Sequence, residues 1–376
     1  MHAFRSQRHD FWHRVSRPAL ATAAGDACGV QAQVLSAAGL SLRARVKGLT
    51  AAAVDRALLR DRTLVKAWLM RGTLHLLPAD EFPAYVGALR QAADARAWER
   101  KLPDLLPGYL RRRGMRPGDV APVVRAITEA LGDDPLTRTE LADRVTDRVG
   151  APARPWIEHS WGGIVRLASL HGAICFGPSR GREITFVRAA AWLRDFREME
   201  GAPAEDAFVR RYLRAFGPAT PRDMAVWSGI PAREIERMWT GLGDDLAVVS
   251  VEGAPAHLLA DDVEALRRAP LADSVVRLLP HFETYLLGHR DKSHLVDAAH
   301  YKRVYRKAGW LTPVVLVDGR VAAIWSHRHI GDRWRITVEP FRRLAREERE
   351  GIATEAEDIG RFLGGGSEVA YGTLRA

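Results

Sequence analysis

The sequence predicts an α+β chain: three tandem winged helix units followed by a small β-rich, barrel-like domain. Three observations carry that reading. The order helix, helix, hairpin recurs three times along the chain. Gly, Pro and Asp punctuate the copies where turns are needed. The last third changes character and carries two short apolar runs around Asp318-Gly319, a type I′ hairpin signal.

The first copy spans residues 1–115. An entry helix is expected around Asp10–Val15. Gly29-Val30-Gln31-Ala32-Gln33 then breaks the pattern, and helical spacing resumes with Leu35, Leu40, Leu42 and Val46. Thr50 is an N-cap for a helix over Ala51–Arg60. Leu64–Leu77 reads as two strands around Arg71-Gly72, closed by Pro78. A helical pattern resumes at Ala79 and runs through Arg90, Trp98 and Tyr109. The Pro and Gly cluster at 103–118 marks a boundary.

The second copy spans 116–200. Leu136-Thr137-Arg138-Thr139-Glu140 starts a capped helix. Trp156–Leu170 is a second helical stretch. Ala173–Phe176 and Glu183–Val187 are strands joined by a wing whose tip carries Arg180 and Arg182. That tip is either an ordinary hairpin loop or a phosphate contact. The third copy spans 201–270, with helices over Phe208–Phe216, from Thr220-Pro221 and over Ala232–Leu242. Ala225 and Gly229 fit a helix-turn-helix, and Val248–Val251 with Ala256–Leu259 supply a wing around Glu252-Gly253. The remainder, 271–376, holds strands over Pro313–Val317, Val321–Trp325 and Trp334–Val338, a helix over Glu347–Leu363 and a short final strand.

The chain has 376 residues, a net charge of +10 and a pI near 10.0. A basic balance of this size favours an anionic partner, nucleic acid first. Two cysteines, Cys28 and Cys175, argue against a disulfide framework and against a Cys-rich zinc site. No apolar run is long enough to cross a bilayer. A cytoplasmic monomer is expected, with no cofactor, no metal and no membrane partner.

Gln31 and Gln33 are the candidate chemistry. On a helix, i and i+2 face different ways; on an extended segment they point to one side. A shared ligand therefore demands extended backbone or a loop just before a helix. The alternative is the polar edge of a surface helix.

Four segments carry a family resemblance: Gly29–Gln33, Met70–His75, Leu279–Lys292 and Val315–Val321. With them the chain resembles the winged helix DNA-binding proteins that include the AlkZ-type DNA glycosylases. The resemblance implies three winged helices and a C-terminal β-domain. It also implies that Gln31 and Gln33 occupy the family's catalytic Gln-apolar-Gln motif. The chain departs from the pattern at Val34, where Asp is frequent. It departs again at Phe282-Glu283, where Phe-Asp is frequent, and at Lys292, where Arg is frequent.

An amide offers acceptor and donor groups but cannot protonate a leaving group. A purine alkylated at N7 or N3 is already cationic and leaves without that proton. The implied activity is therefore monofunctional excision of cationic alkylpurines from double-stranded DNA, bulky adducts and interstrand crosslinks included. The rival reading is a winged helix transcriptional regulator without catalysis. A weaker third is an interaction scaffold. His289, Arg290 and Lys292 are read as a DNA-contacting hairpin or as local packing in which Asp291 pairs with Lys292. Arg71, Thr73 and His75 would share one strand face, either lining the site with Asp291 nearby or simply exposed. Trp68, Trp98, Trp156 and Trp161 fit core positions.

Overall fold

The computed structural model describes residues 1–92, 114–132, 134–159, 162–269 and 275–373. Trp98, Tyr109, Trp161 and most of the 103–118 cluster lie outside the described residues. Among those described, the helices are α1 (His2–Arg8), α2 (Leu20–Asp26), α3 (Leu35–Arg43), α4 (Ala51–Leu59), α5 (Phe82–Ala92), α6 (Val120–Ala130), α7 (Arg138–Val149), α8 (Arg154–Ile157), α9 (Gly163–Leu170), α10 (Ala189–Trp192), α11 (Ala202–Phe216), α12 (Pro221–Ser228), α13 (Ala232–Thr240), α14 (Val263–Arg267), α15 (Tyr301–Val304) and α16 (Arg346–Phe362). The strands are β1 (Val30–Gln31), β2 (Leu64–Trp68), β3 (Leu74–Pro78), β4 (Leu136–Thr137), β5 (Ile174–Phe176), β6 (Thr185–Arg188), β7 (Leu246–Val251), β8 (Ala254–Leu259), β9 (Val276–Leu279), β10 (Val314–Val317), β11 (Arg320–Ile330), β12 (Arg333–Pro340) and β13 (Gly366–Tyr371). The fold mixes helix and sheet.

The chain forms two compact units. One joins Met1–Arg56, Val209–Trp227 and Leu242–Ala376; the other joins Ala57–Phe208 and Ser228–Gly241.

The first unit is built on a five-stranded sheet of order β13-β12-β11-β10-β9, antiparallel except that β13 runs parallel to β12. A parallel neighbour needs a crossover, and α16 supplies it. The β10–β11 turn is tight because Asp318 (φ 50°) and Gly319 (φ 81°) both take left-handed backbone, as a type I′ turn requires. Helix α16 lies on this sheet and also packs against α3. The same turn chemistry joins β7 to β8 through Glu252 (φ 51°) and Gly253 (φ 84°). The entry helix falls on His2–Arg8, not Asp10–Val15. Its last carbonyls are closed by the backbone of His9 and Asp10, and Asp10 at φ 55° turns the chain away.

In the second unit, Thr137 caps α7 with a full capping box: its hydroxyl accepts from the Glu140 N–H at 3.3 Å, and Glu140 accepts from the Thr137 N–H at 2.7 Å. Strand β4 joins β6 and β5 in a three-stranded sheet. The expected Trp156–Leu170 helix is split. Gly162 (φ 103°) and Gly163 (φ 47°) break it into α8 and α9. Trp68 is buried on Phe176 and Phe186, with ring centroids at 4.6 and 6.0 Å. Trp156 is buried too.

Candidate active site

The glutamine segment is set by what precedes it. Helix α2 ends in a backbone cap, with the Cys28 N–H on Gly25 O at 2.7 Å and the Gly29 N–H on Ala24 O at 2.9 Å. Cys28 (φ 56°) and Gly29 (φ 81°) are both left-handed, which reverses the chain into β1. Gln31 ends that two-residue strand, and Gln33 lies in a bend two residues before α3. Extended backbone just ahead of a helix is the geometry the i, i+2 spacing demands, and the surface-helix alternative fails. Exposure differs, however. Gln33 is exposed, whereas Gln31 is 7% exposed because Val30 and Ala32 beside it are fully packed.

Helix α3 has no side-chain N-cap, and Leu35 and Ser36 in its first turn are exposed. The positive end of its dipole therefore faces the surface next to Gln33, a setting that favours negative charge.

The rest of α3 is held by buried charge. Arg43, fully buried, donates to Glu355 (2.9 Å) and Asp358 (3.1 Å) of α16 and to Leu278 O of β9 (2.8 Å). Burial raises the pKa of both carboxyls, but Arg43 and Arg14 outweigh it and hold them below the usual range. Arg45 reaches both oxygens of Glu283 at 2.6 and 3.3 Å, and also Ser41 O at 2.9 Å and His9 Nδ1 at 3.2 Å. Glu283 further accepts from Ser41 Oγ (2.7 Å) and the Tyr285 N–H (3.1 Å). Thus Glu283, a departure noted in the sequence, is a buried anchor for the C-terminal end of the helix that follows the glutamines. Sequence inspection missed Arg43 and Arg45. Arg43 falls within the run of buried residues that ends α3, the one signal that could have found it.

The 279–292 segment is a brace within this unit. Gly288 O accepts from Tyr212 OH at 2.7 Å, and a Cβ on Gly288 would stand 2.1 Å from the Phe216 ring. The structure corrects the DNA-contact reading for two of its residues. His289 is buried beside Phe216 and His294, and burial with Arg5 nearby drives its pKa well below the ordinary value. Lys292 is also buried, donating to His289 O with Tyr305 beneath it at 5.7 Å. Arg290 is exposed, with its N–H on Asp223 at 2.8 Å. The Asp291 carboxylate accepts from the Ser293 N–H and hydroxyl.

In the second unit Arg71 and His75 do not share a strand face. Arg71 sits in the turn at φ 56°, against Gly229, where an added Cβ would lie 3.2 Å from the Arg71 Cα. His75 is buried on β3, its Nδ1–H donating to Thr73 O at 3.0 Å, and burial with Arg71 nearby lowers it to about 3. Arg182 is exposed at the wing tip, whereas Arg180 pairs with Glu140 at 2.6 Å. Among the described residues no group of His, Cys, Asp and Glu could hold a metal ion, and no helix is long and apolar enough to cross a membrane.

The family profile described as DNA glycosylase AlkZ-like matches residues 24–362, from just before the glutamines to the end of α16. The chain belongs to the AlkZ-like DNA glycosylase family. AlkZ-like enzymes are hydrolases of N-glycosyl bonds. A relative, the interstrand DNA cross-link repair glycosylase of Streptomyces sahachiroi, is 34% identical over 369 residues, 96% of this chain and 95% of that protein. The solved structure of Streptomyces sahachiroi DNA glycosylase AlkZ shares the fold, with a TM-score of 0.85, 30% identity and 98% of each chain covered. The AlkZ-like match includes the glutamine segment, the Glu283 anchor and the β10–β11 hairpin.

Proposed function

We propose that this AlkZ-like protein hydrolyses the N-glycosidic bond of cationic N7- or N3-alkylpurines in double-stranded DNA, with Gln31 and Gln33 as the catalytic pair. The observation that carries the reading is an exposed Gln33 at the uncapped start of α3, backed one residue away by a buried Gln31, in a chain of this family. Gln33 holds the attacking water through its amide oxygen and faces the positive charge developing on the sugar with that dipole. Gln31 fixes the geometry from behind. The C1′–N bond breaks with its electron pair going to the base, which neutralises the cation. Water oxygen bonds C1′ and its proton leaves to solvent, giving an abasic site and a neutral alkylpurine.

Bulky adducts and interstrand crosslinks fall within the same chemistry, and the name of the Streptomyces sahachiroi relative supports that extension. Repair or self-resistance is the setting. The regulator alternative has no such support. Residues 1–115, 116–200 and 201–270 are read as winged helix units and 271–376 as the β-rich domain. The α6-β4-α7-α8/α9-β5-β6 order, with β4 on β6, supports this for the second unit in the series. Arg182 and Arg290 are the exposed DNA contacts; Arg180 shares its charge with Glu140. The protein acts as a monomer.

The test is single-turnover release of N7-methylguanine, N7-bulky and crosslinked bases from duplex DNA. Gln33→Ala should cut excision by about a hundredfold, the scale of one lost positioning group, with duplex affinity kept. Gln31→Ala should act non-additively with it. Unchanged excision by the double variant would refute the assignment.

A further inference from the structure

The first unit holds a cavity of about 1130 Å3, and none of the residues assigned above lines it. Four cations line it, Lys302, Arg303, Arg306 and Lys307, and no carboxylate does. Arg303 is committed to Glu339 at 2.6 Å. The other three are exposed and, among the described residues, have no carboxylate partner. Charge of one sign with nothing to neutralise it calls for an anionic occupant.

The same cavity presents flat aromatic surface. Trp310 is 49% exposed although Phe282 (5.0 Å) and His281 (5.6 Å) brace it. Its position is fixed by a tight turn. The Arg306 N–H donates to Trp310 O at 2.8 Å, and Ala308 (φ 56°) and Gly309 (φ 76°) carry the reversal. The turn thereby sets Trp310 and Lys307 on one short loop. The walls behind it are rigid. His281 Nδ1–H donates to Leu311 O at 2.9 Å, and the Trp325 indole N–H donates to Leu279 O at 2.8 Å.

Cations beside an exposed, braced indole form the combination that recognises unstacked nucleotides: phosphates on the charges, a base on the ring. Bases within a duplex have no free face to offer. The volume exceeds the roughly 300–1,000 Å3 of most small-ligand sites, which suits a run of strand rather than one nucleotide. We propose that this cavity is a second nucleic-acid site, a cradle for a short single-stranded stretch of DNA. A base stacks on Trp310 while Lys302, Arg306 and Lys307 hold its phosphates. The assignment rests on the reading that this chain works on DNA. Its use would be to hold a strand that frays where damage has weakened pairing.

The experiment measures fluorescence anisotropy of a labelled short oligothymidylate with the full chain, against inorganic polyphosphate as competitor. Single-turnover excision from an alkylated duplex is recorded on the same preparations. Trp310→Ala should weaken oligothymidylate binding about tenfold, the scale of one lost stacking contact, and Trp310→Phe should restore most of it. Lys307→Glu, at an exposed position, should weaken binding and reduce the magnitude of the salt slope by about 0.7. Polyphosphate should compete poorly. The cradle is overturned if Trp310→Ala binds as wild type does, or if polyphosphate of equal charge displaces the strand as well as unlabelled oligothymidylate. Absence of excision with Trp310-dependent strand binding intact would instead remove the glycosylase reading and leave the cradle standing.

Discussion

Replacing Glu283 with Gln keeps the shape of the side chain and removes its charge. Arg45 would then lie fully buried with no counter-charge, and an amide N–H2 would face one of its donors. Both partners are inaccessible, and Glu283 serves Arg45, Ser41 Oγ and the Tyr285 N–H together. Breaking a buried pair from one side costs about 3–5 kcal/mol, a large part of the roughly 5–15 kcal/mol that keeps a domain folded. Glu283→Asp keeps the charge but withdraws it by one methylene, and about 1–3 kcal/mol is expected, one poorly met buried group. Arg45→Met with Glu283→Leu removes both charges and should lose less than the sum of the two single changes, the remaining cost being the unmet Ser41 Oγ and Tyr285 N–H. Urea unfolding followed by circular dichroism gives each value. The cycle should yield a coupling of about 3–5 kcal/mol. A Glu283→Gln protein within about 1 kcal/mol of wild type, the scale of a surface pair, would show that Arg45 is not held as described.

Gly288→Ala should destabilise by about 1–3 kcal/mol or more, because the new methyl meets the Phe216 ring; differential scanning calorimetry reads it. Arg182→Glu should weaken duplex binding with little change in sequence preference and flatten the salt dependence by about one phosphate contact, while Arg180→Glu should do less because Glu140 already partners it. Acid should destabilise the fold. His75 and His294 are lowered to about 3 and His2 to about 4, chiefly by burial. Their folded pKa values lie below the unfolded value near 6.5. The stability they support is therefore present above pH 6.5 and lost as pH falls toward 4 and 3. Asp10 runs the other way. Burial and Asp26 raise it to about 7, so its penalty grows from the ordinary carboxylate range up to pH 7 and is constant above. Asp10→Asn should therefore gain stability over wild type at pH 8 and not at pH 4, a comparison that equilibrium unfolding at the two pH values decides.

Local chemistry was legible where it repeats a short-range rule. The Thr137 cap, the Asp318-Gly319 and Glu252-Gly253 turns, and the extended approach to α3 each depend on a few adjacent residues, and each stands as read. What failed depended on partners far along the chain. Arg43 and Arg45 look like solvated charges until Glu355, Asp358 and Glu283 are beside them. His289 and Lys292 look like a basic surface until Phe216 and Tyr305 cover them. The reversal at Arg71-Gly72 was legible, but a face shared by Arg71 and His75 does not exist, because Arg71 at φ 56° lies in the turn and not on β3. Gln33 was legible as an exposed amide; the burial of Gln31 was not, since one residue of spacing says nothing about depth.

The Arg43 anchor also sets a timetable. Its carboxylate partners lie 312 and 315 residues further on. A ribosome adding about 5–20 residues per second needs roughly 15–60 s to deliver them. Until then the Arg43 guanidinium has no carboxylate to meet it, and the contact that braces α3 against α16 is unmade. The brace between α3 and α16 can therefore form only after α16 has been made. A chain interrupted before α16 should leave the glutamine segment open to protease while the Ala57–Phe208 segment resists.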